Sequence, residues 1–180
     1  HSDVTAGAVA DAKKWMDAIS HTTIYTGGCL DPNSAYLTIR GMKTLQVRVE
    51  RACNNAFDIA EFLKGHSQVE RVYYPGLMEA EGHEAAVRQM RDFGMMVSFD
   101  IKGGGTAARK FIDSLELWYL AASLGGVEST VSYPVLASHV GLEKKTLQLL
   151  GVSPATVRLS VGIEDSADLV ADLDRALRRA

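Results

Sequence analysis

The sequence predicts an α/β architecture from three features: strand-like and helix-like segments alternate after residue 68, a long run of helical period precedes them, and a capped amphipathic helix closes the chain. The first boundary is Asp31-Pro32, where an acid can cap orphan amides and proline suits the first helical position. From Ala35 onward Leu37, Ile39, Leu45, Val47, Val49, Ala52, Ala56, Ile59, Ala60 and Leu63 recur at threes and fours, ending at Lys64-Gly65. One helix of about 30 residues, about 45 Å long, is expected there. That exceeds the width of a small domain, so the helix is expected to join two bodies, with a boundary near Arg48 to Cys53 and Gly41 as the candidate bend.

Beyond it, Val69–Tyr74 reads as a strand, His83–Arg91 as a helix, Met95–Ile101 as a strand and Thr106–Ser114 as a helix. Leu117–Ala121 and Val127–Val131 read as short strands, Leu142–Leu150 as a helix and Val157–Val161 as a strand. In the last helix, Asp165 or Ser166 is the cap. Leu169, Leu173, Ala176 and Leu177 form one face, and Asp168, Asp172, Asp174, Arg175 and Arg178 the other. Its acids gather at the start and its bases at the end, as the helix dipole favours.

Composition narrows the function. The 180 residues are 47% hydrophobic and 23% charged, with 19 basic and 22 acidic residues and a net charge of -3. This is a globular composition, without the basic footprint of a nucleic-acid or anionic-membrane binder. No apolar run approaches the roughly 20 residues of a membrane span. Cys29 and Cys53 stand apart with no paired spacing, which argues against a disulfide framework or zinc knuckle and for a reduced, intracellular setting. The text opens His1-Ser2-Asp3-Val4 without an initiator methionine or signal peptide, so a processed chain or a portion of a longer one is expected.

Several segments could carry chemistry. Gly103-Gly104-Gly105-Thr106 joins a strand to a helix, where amides can cradle phosphate, but it matches neither G-x-G-x-x-G nor a P-loop and reads better as a turn. His1, His21, His66, His83 and His139 show no i,i+4 pair and no H-E-x-x-H, so they read as surface or capping residues and not as metal ligands. Ser138-His139 lacks the G-x-S-x-G elbow of a hydrolase. Ala122-Ser123-Leu124-Gly125-Gly126-Val127-Glu128-Ser129 places a glycine pair and small hydroxyls between two short strands, which suits either close approach to a ligand or a β-bulge. Arg158 stands inside an otherwise apolar strand. It either pairs with an internal acid or presents its planar fork to a ligand carboxylate, and the residues alone weigh these equally.

Four segments, in order, carry a resemblance: His1-Ser2-Asp3-Val4; Leu37-Thr38-Ile39-Arg40-Gly41-Met42-Lys43-Thr44-Leu45; Ser123-Leu124-Gly125-Gly126-Val127-Glu128-Ser129; and Val157-Arg158-Leu159-Ser160-Val161-Gly162-Ile163-Glu164-Asp165. With them the chain resembles, end to end, the pyridoxal 5'-phosphate (PLP)-dependent enzymes of cysteine and methionine metabolism: cystathionine γ-synthase, cystathionine γ- and β-lyases, methionine γ-lyase and the homoserine-ester sulfhydrylases. The resemblance implies an aspartate-aminotransferase-like, fold type I architecture, with residues 1–50 ending the PLP-binding large domain and 51–180 forming the small C-terminal α/β domain. It also implies a Schiff-base lysine before residue 1, since Lys13, Lys14, Lys43, Lys64, Lys102, Lys110, Lys144 and Lys145 all lie outside the family's context for it. PLP would then be bound mainly by an N-terminal PLP-binding portion of the same enzyme.

By the same resemblance Arg158 takes the place of the arginine that binds the substrate's α-carboxylate, and Ser123 that of the serine beside it. Ala122 stands where the cystathionine γ-synthase and γ-lyase branch commonly has Glu. An apolar residue there suits a short or apolar thioether better than a distal ammonium group. A methionine γ-lyase-like carbon–sulfur lyase is therefore expected, with a cystathionine γ-lyase, β-lyase or γ-synthase as the alternative and a non-catalytic binding or assembly module as the reading of another class. A cytoplasmic homotetramer with an amino-acid substrate, and no nucleic-acid or membrane partner, completes the expectation.

Overall fold

The computed structural model describes residues 1–180, and the chain divides into two compact units, His1–Gln46 and Val47–Ala180. In the first, α1 (Lys13–Thr26) has no counterpart in the sequence reading. Its start lacks a capping side chain, and β-branched Thr22 and Thr23 blur the pattern. Their hydroxyls instead bond back to the carbonyls of Ala18 (3.0 Å) and Ile19 (2.8 Å). Next, α2 (Pro32–Met42) begins as expected: the Asp31 carboxylate accepts from the amides of Asn33 (3.0 Å) and Ser34 (3.1 Å).

The single long helix is corrected to two, because α2 ends at Met42 and α3 runs Leu45–Gly65. Gly41, costing about 1 kcal/mol against alanine in a helix, weakens the last turn of α2. The amides of Lys43 and Thr44 there reach carbonyls only three residues back, at Arg40 (3.3 Å) and Gly41 (3.4 Å). Such tightened bonds close the α2 ladder.

The second unit continues with β1 (Val69–Tyr73), α4 (His83–Gln89), β2 (Met96–Ile101), α5 (Gly104–Asp113), β3 (Tyr119–Leu120), β4 (Thr130–Ser132), a 3₁₀ turn at Pro134–Leu136, α6 (Lys144–Leu149), β5 (Thr156–Ser160) and α7 (Ser166–Leu177). The strands form one mixed α/β sheet in the order β1-β2-β5-β4-β3, antiparallel except for the parallel pair β3/β4. Strand side chains alternate between the faces. Val97, Phe99, Ile101, Val131, Val157 and Leu159 therefore join Ile59 and Leu63 of α3, Phe111 of α5 and Leu169, Leu173 and Leu177 of α7 in one core. Phe99 and Phe111 meet edge to face at 5.5 Å. The opposite face carries the row Ser98, Arg158, Ser132, adjacent in register across β2, β5 and β4.

Two details depart from expectation. β3 and β4 are shorter than read, because residues flanking them bond outside the ladder: the Leu117 amide donates to Asp172 (2.9 Å), and the Val127 carbonyl accepts from Ile163 (3.0 Å). Asp172, placed on the solvent face of the last helix, is instead buried. It accepts from the amides of Glu116 and Leu117 and pairs with Arg175, so a hydrogen-bonded acid occupies a site read as polar surface.

Candidate functional site

β5 lies at the centre of the sheet, and its alternation turns Arg158 to the polar face, half-buried. The guanidinium bonds through Nη2 alone, donating to the carbonyls of Ala122 (3.1 Å) and Ser123 (3.5 Å). It forms no ion pair with any acid of the chain, and its Nε–H is enclosed without an acceptor. An unneutralised planar fork of this kind, beside a groove of about 910 Å³ that Tyr73, Ser98, Pro134 and His139 also line, is suited to an oxyanion.

Asp100, the acid of β2 on this face, is engaged elsewhere. Its Oδ2 accepts from the Tyr73 hydroxyl (2.7 Å) and its Oδ1 from Thr156 Oγ1 (2.6 Å). Burial, reinforced by that carboxylate, pushes the Tyr73 phenol up to about 12.

The three residues singled out in sequence thus come together, though through their backbone. The carbonyls of Ala122 and Ser123 meet Arg158, and the Ser123 carbonyl also accepts from Thr130 Oγ1 (3.1 Å). They begin a strap, residues 122–129, that runs from β3 to β4 and is pinned midway where the Gly125 amide donates to Ser160 Oγ (2.9 Å). Gly125 has φ +74°, a left-handed conformation that glycine takes without strain.

Of the remaining candidates, Lys64, Ser138 and His139 line the same groove as Arg158, and the others lie outside it. Gly103 and Gly104 have positive φ, and a Cβ on Gly105 would meet Tyr133 Oη at 3.0 Å and Pro154 Cβ at 3.2 Å, so packing and turn geometry account for this run. His83 Nδ1 bonds the Pro75 carbonyl (2.8 Å), and His66 bridges the Gln68 amide and Asp174. Ser138 Oγ lies 2.8 Å from His139 Nδ1 in an exposed loop. Lys64 pairs with Glu79 (2.6 Å), and Lys102 donates to the Ser67 carbonyl (2.7 Å).

Sequence reasoning missed the fastening at the far end of the strap. Glu164 accepts from both the amide (2.7 Å) and hydroxyl (2.8 Å) of Ser129, and Asn55 donates to the carbonyls of Gly162 (3.1 Å) and Glu164 (2.8 Å). The available signal was Asn55 itself, a lone amide among Ala52, Ala56 and Ile59 on the buried face of α3.

Comparison with known proteins is consistent along the chain. The model of the family described as Cys/Met metabolism PLP-dependent enzyme matches residues 1–178. L-methionine gamma-lyase of Fusobacterium nucleatum subsp. polymorphum is 44% identical over 99% of this chain and 46% of its own length. Cystathionine gamma-synthase 1, chloroplastic, of Arabidopsis thaliana is 44% identical over 98% of this chain and 31% of its own. A crystal structure of cystathionine gamma synthase from Xanthomonas oryzae pv. oryzae, in complex with aminoacrylate and cysteine, superposes with a TM-score of 0.89 at 40% identity, covering 95% of this chain and 44% of that one. The chain spans less than half the length of each of these relatives.

Proposed function

The chain belongs to the Cys/Met metabolism PLP-dependent enzyme family, of fold type I, and from that premise we propose that it supplies the substrate-carboxylate side of the active site in a carbon–sulfur lyase acting on sulfur amino acids, of the methionine γ-lyase kind. The carrying observation is Arg158: half-buried, paired with no acid of its own chain, and held by the strap carbonyls with part of its fork uncommitted.

The donors present fit an amino acid's acid group. Arg158 Nη2 is committed to the strap and Nε–H is enclosed, so Nη1, which makes no bond within the chain, is the donor that an arriving oxyanion would meet. PLP, when bound, supplies the electron sink for carbanion chemistry at the substrate's α-carbon. This chain's part is positioning: Arg158 grips the α-carboxylate, fixing rotation about the bond to the α-carbon so that its C–H bond is presented to the ring. Ser123 sits beside that grip and Ala122 next to it, where an apolar side chain favours a thioether over a charged far end. Residues 1–50 are proposed to end the PLP-binding domain and 51–180 to form the small domain, in a cytoplasmic homotetramer. No helix is long and apolar enough to cross a membrane.

In the complete enzyme, Arg158→Ala is expected to lower kcat/KM about 30- to 150-fold, the scale of 2–3 kcal/mol of charge-assisted bonding. An unchanged value would remove the proposal. Products from methionine, cystathionine and an O-acylhomoserine then decide the reaction. Preference for methionine supports the Ala122 argument, strong preference for cystathionine overturns it in favour of a cystathionine lyase, and strong preference for the O-acylhomoserine overturns it in favour of a synthase.

A further inference from the structure

We propose that Glu164, which lies outside the groove, is a positioning residue for the carboxylate grip, acting through Ser129 and Thr130 on the Ser123 carbonyl, one of the two strap carbonyls that meet Arg158. The inference rests on the reading of Arg158 as the carboxylate clamp. Its basis is a continuous chain of bonds. Glu164 Oε1 and Oε2 accept from the amide and the hydroxyl of Ser129 at 2.7 and 2.8 Å. Ser129 is fully buried, and its Oγ in turn accepts from the Gly162 amide (2.9 Å), so each group of this residue has a fixed direction. The next residue, Thr130, holds the Ser123 carbonyl through Oγ1 (3.1 Å), and that carbonyl lies 3.5 Å from Arg158 Nη2.

The anchor itself is rigid. Asn55 of α3 fixes the carbonyls on either side of Ile163, and Arg51 adds a bond to the Glu164 carbonyl (3.2 Å). A Cβ on Gly162 would come within 2.2 Å of the Val127 carbonyl oxygen, so strap and β5 extension touch backbone to backbone here. Between Ser129 and Ser123 the strap contains Gly125 and Gly126, which lend it no stiffness of their own. The position of Ser123 is therefore set by the points where the strap is fastened: Gly125 to Ser160, Thr130 to the Ser123 carbonyl itself, and Ser129 to Glu164.

Charge type matters as well as shape. A carboxylate has acceptors only, and so takes both Ser129 donors while leaving the Ser129 oxygen to the Gly162 amide. The isosteric amide of Glu164→Gln would aim a donor at the Ser129 hydroxyl, which must then turn its own proton away. The pull on Ser129 changes direction with side-chain volume conserved.

The test titrates the complete holoenzyme by calorimetry with L-norleucine, which carries the carboxylate, and with n-pentylamine, which lacks it. Glu164→Gln and Ser129→Ala are both expected to weaken norleucine about tenfold while pentylamine changes less than twofold. Equal weakening of both probes, or none, overturns the proposal. Arg158→Ala serves as control: if it too leaves norleucine unchanged, the clamp reading fails. If it weakens norleucine while Glu164→Gln and Ser129→Ala do not, the positioning role alone fails.

Discussion

Asp172→Ala is expected to loosen the join between α5 and β3 and to cost the protein about 3 kcal/mol. The carboxylate is only 5% exposed and does three things. It accepts from the Glu116 amide (3.1 Å), from the Leu117 amide (2.9 Å), and pairs with Arg175 one turn along α7. Each amide left without an acceptor costs about 1–3 kcal/mol when dry. Because Glu116 and Leu117 lie at the surface, water reaches them and the low end applies. Removing one partner of a fully buried ion pair costs about 3–5 kcal/mol. Arg175 is 28% exposed and retains Glu116 (2.9 Å), so about 1 kcal/mol is assigned to it. Asp172→Asn keeps one acceptor and should lose about half as much. Chemical denaturation gives the free energy, and amide hydrogen exchange at Glu116 and Leu117 gives the location. A loss under about 1 kcal/mol with unchanged exchange at those two amides would show that the carboxylate is not the fastening described.

Two further outcomes follow from the same geometry. The Tyr73 phenol is raised to about 12, whereas a free phenol ionises near pH ~10. Above that pH the unfolded chain releases its proton while the folded chain keeps it, so this contribution to stability is complete below pH ~10 and is lost as pH climbs toward 12. The free energy of unfolding measured across that window should fall more steeply than for Tyr73→Phe, and identical slopes would contradict the burial argument. Gly105→Ala, within α5, sets the ~1 kcal/mol that alanine gains over glycine in a helix against overpacking of about 1–3 kcal/mol where its methyl would press on Tyr133 Oη and Pro154 Cβ, so no net stabilisation is expected. A melting temperature raised by the full helix gain would show that packing does not require this glycine.

What the sequence disclosed and what it withheld follow a physical division. The terminal helix was readable because Asp165, the four-residue spacing of Leu169, Leu173 and Leu177, and the sheet they cover all demand the same local structure. The centre of the sheet was readable because Arg158 is the one charged residue of β5, between the apolar Val157 and Leu159, and a lone guanidinium in such a strand must be answered by something. The split between α2 and α3 was not, because Gly41 weakens a helix by an amount that tertiary context can either override or exploit. Asp172 was misassigned for a related reason: periodicity places a residue on a face, yet an acid supplied with two amides and a guanidinium is as well satisfied inside as in water. Ala122 and Ser123 were found by resemblance, while the geometry that joins them to Arg158 runs through their carbonyls, groups every residue possesses and no sequence pattern can distinguish.

That last point bears on how the site achieves precision. A guanidinium on a loop would share the loop's mobility, whereas β5 is hydrogen-bonded on both sides, to β2 and to β4, and its neighbours Val157 and Leu159 are locked in the core. Arg158 therefore starts from a fixed backbone, and two strap carbonyls orient its head without neutralising it, because a carbonyl dipole holds a cation while leaving its charge for a ligand. Had the same orientation been achieved by Asp100, two register positions away on the same face of β2, the charge would have been spent internally. Instead Tyr73 and Thr156 occupy both oxygens of Asp100. The acid on this sheet face is thus hydrogen-bonded to neutral hydroxyls, and Arg158, the proposed carboxylate clamp, is left without an acid partner.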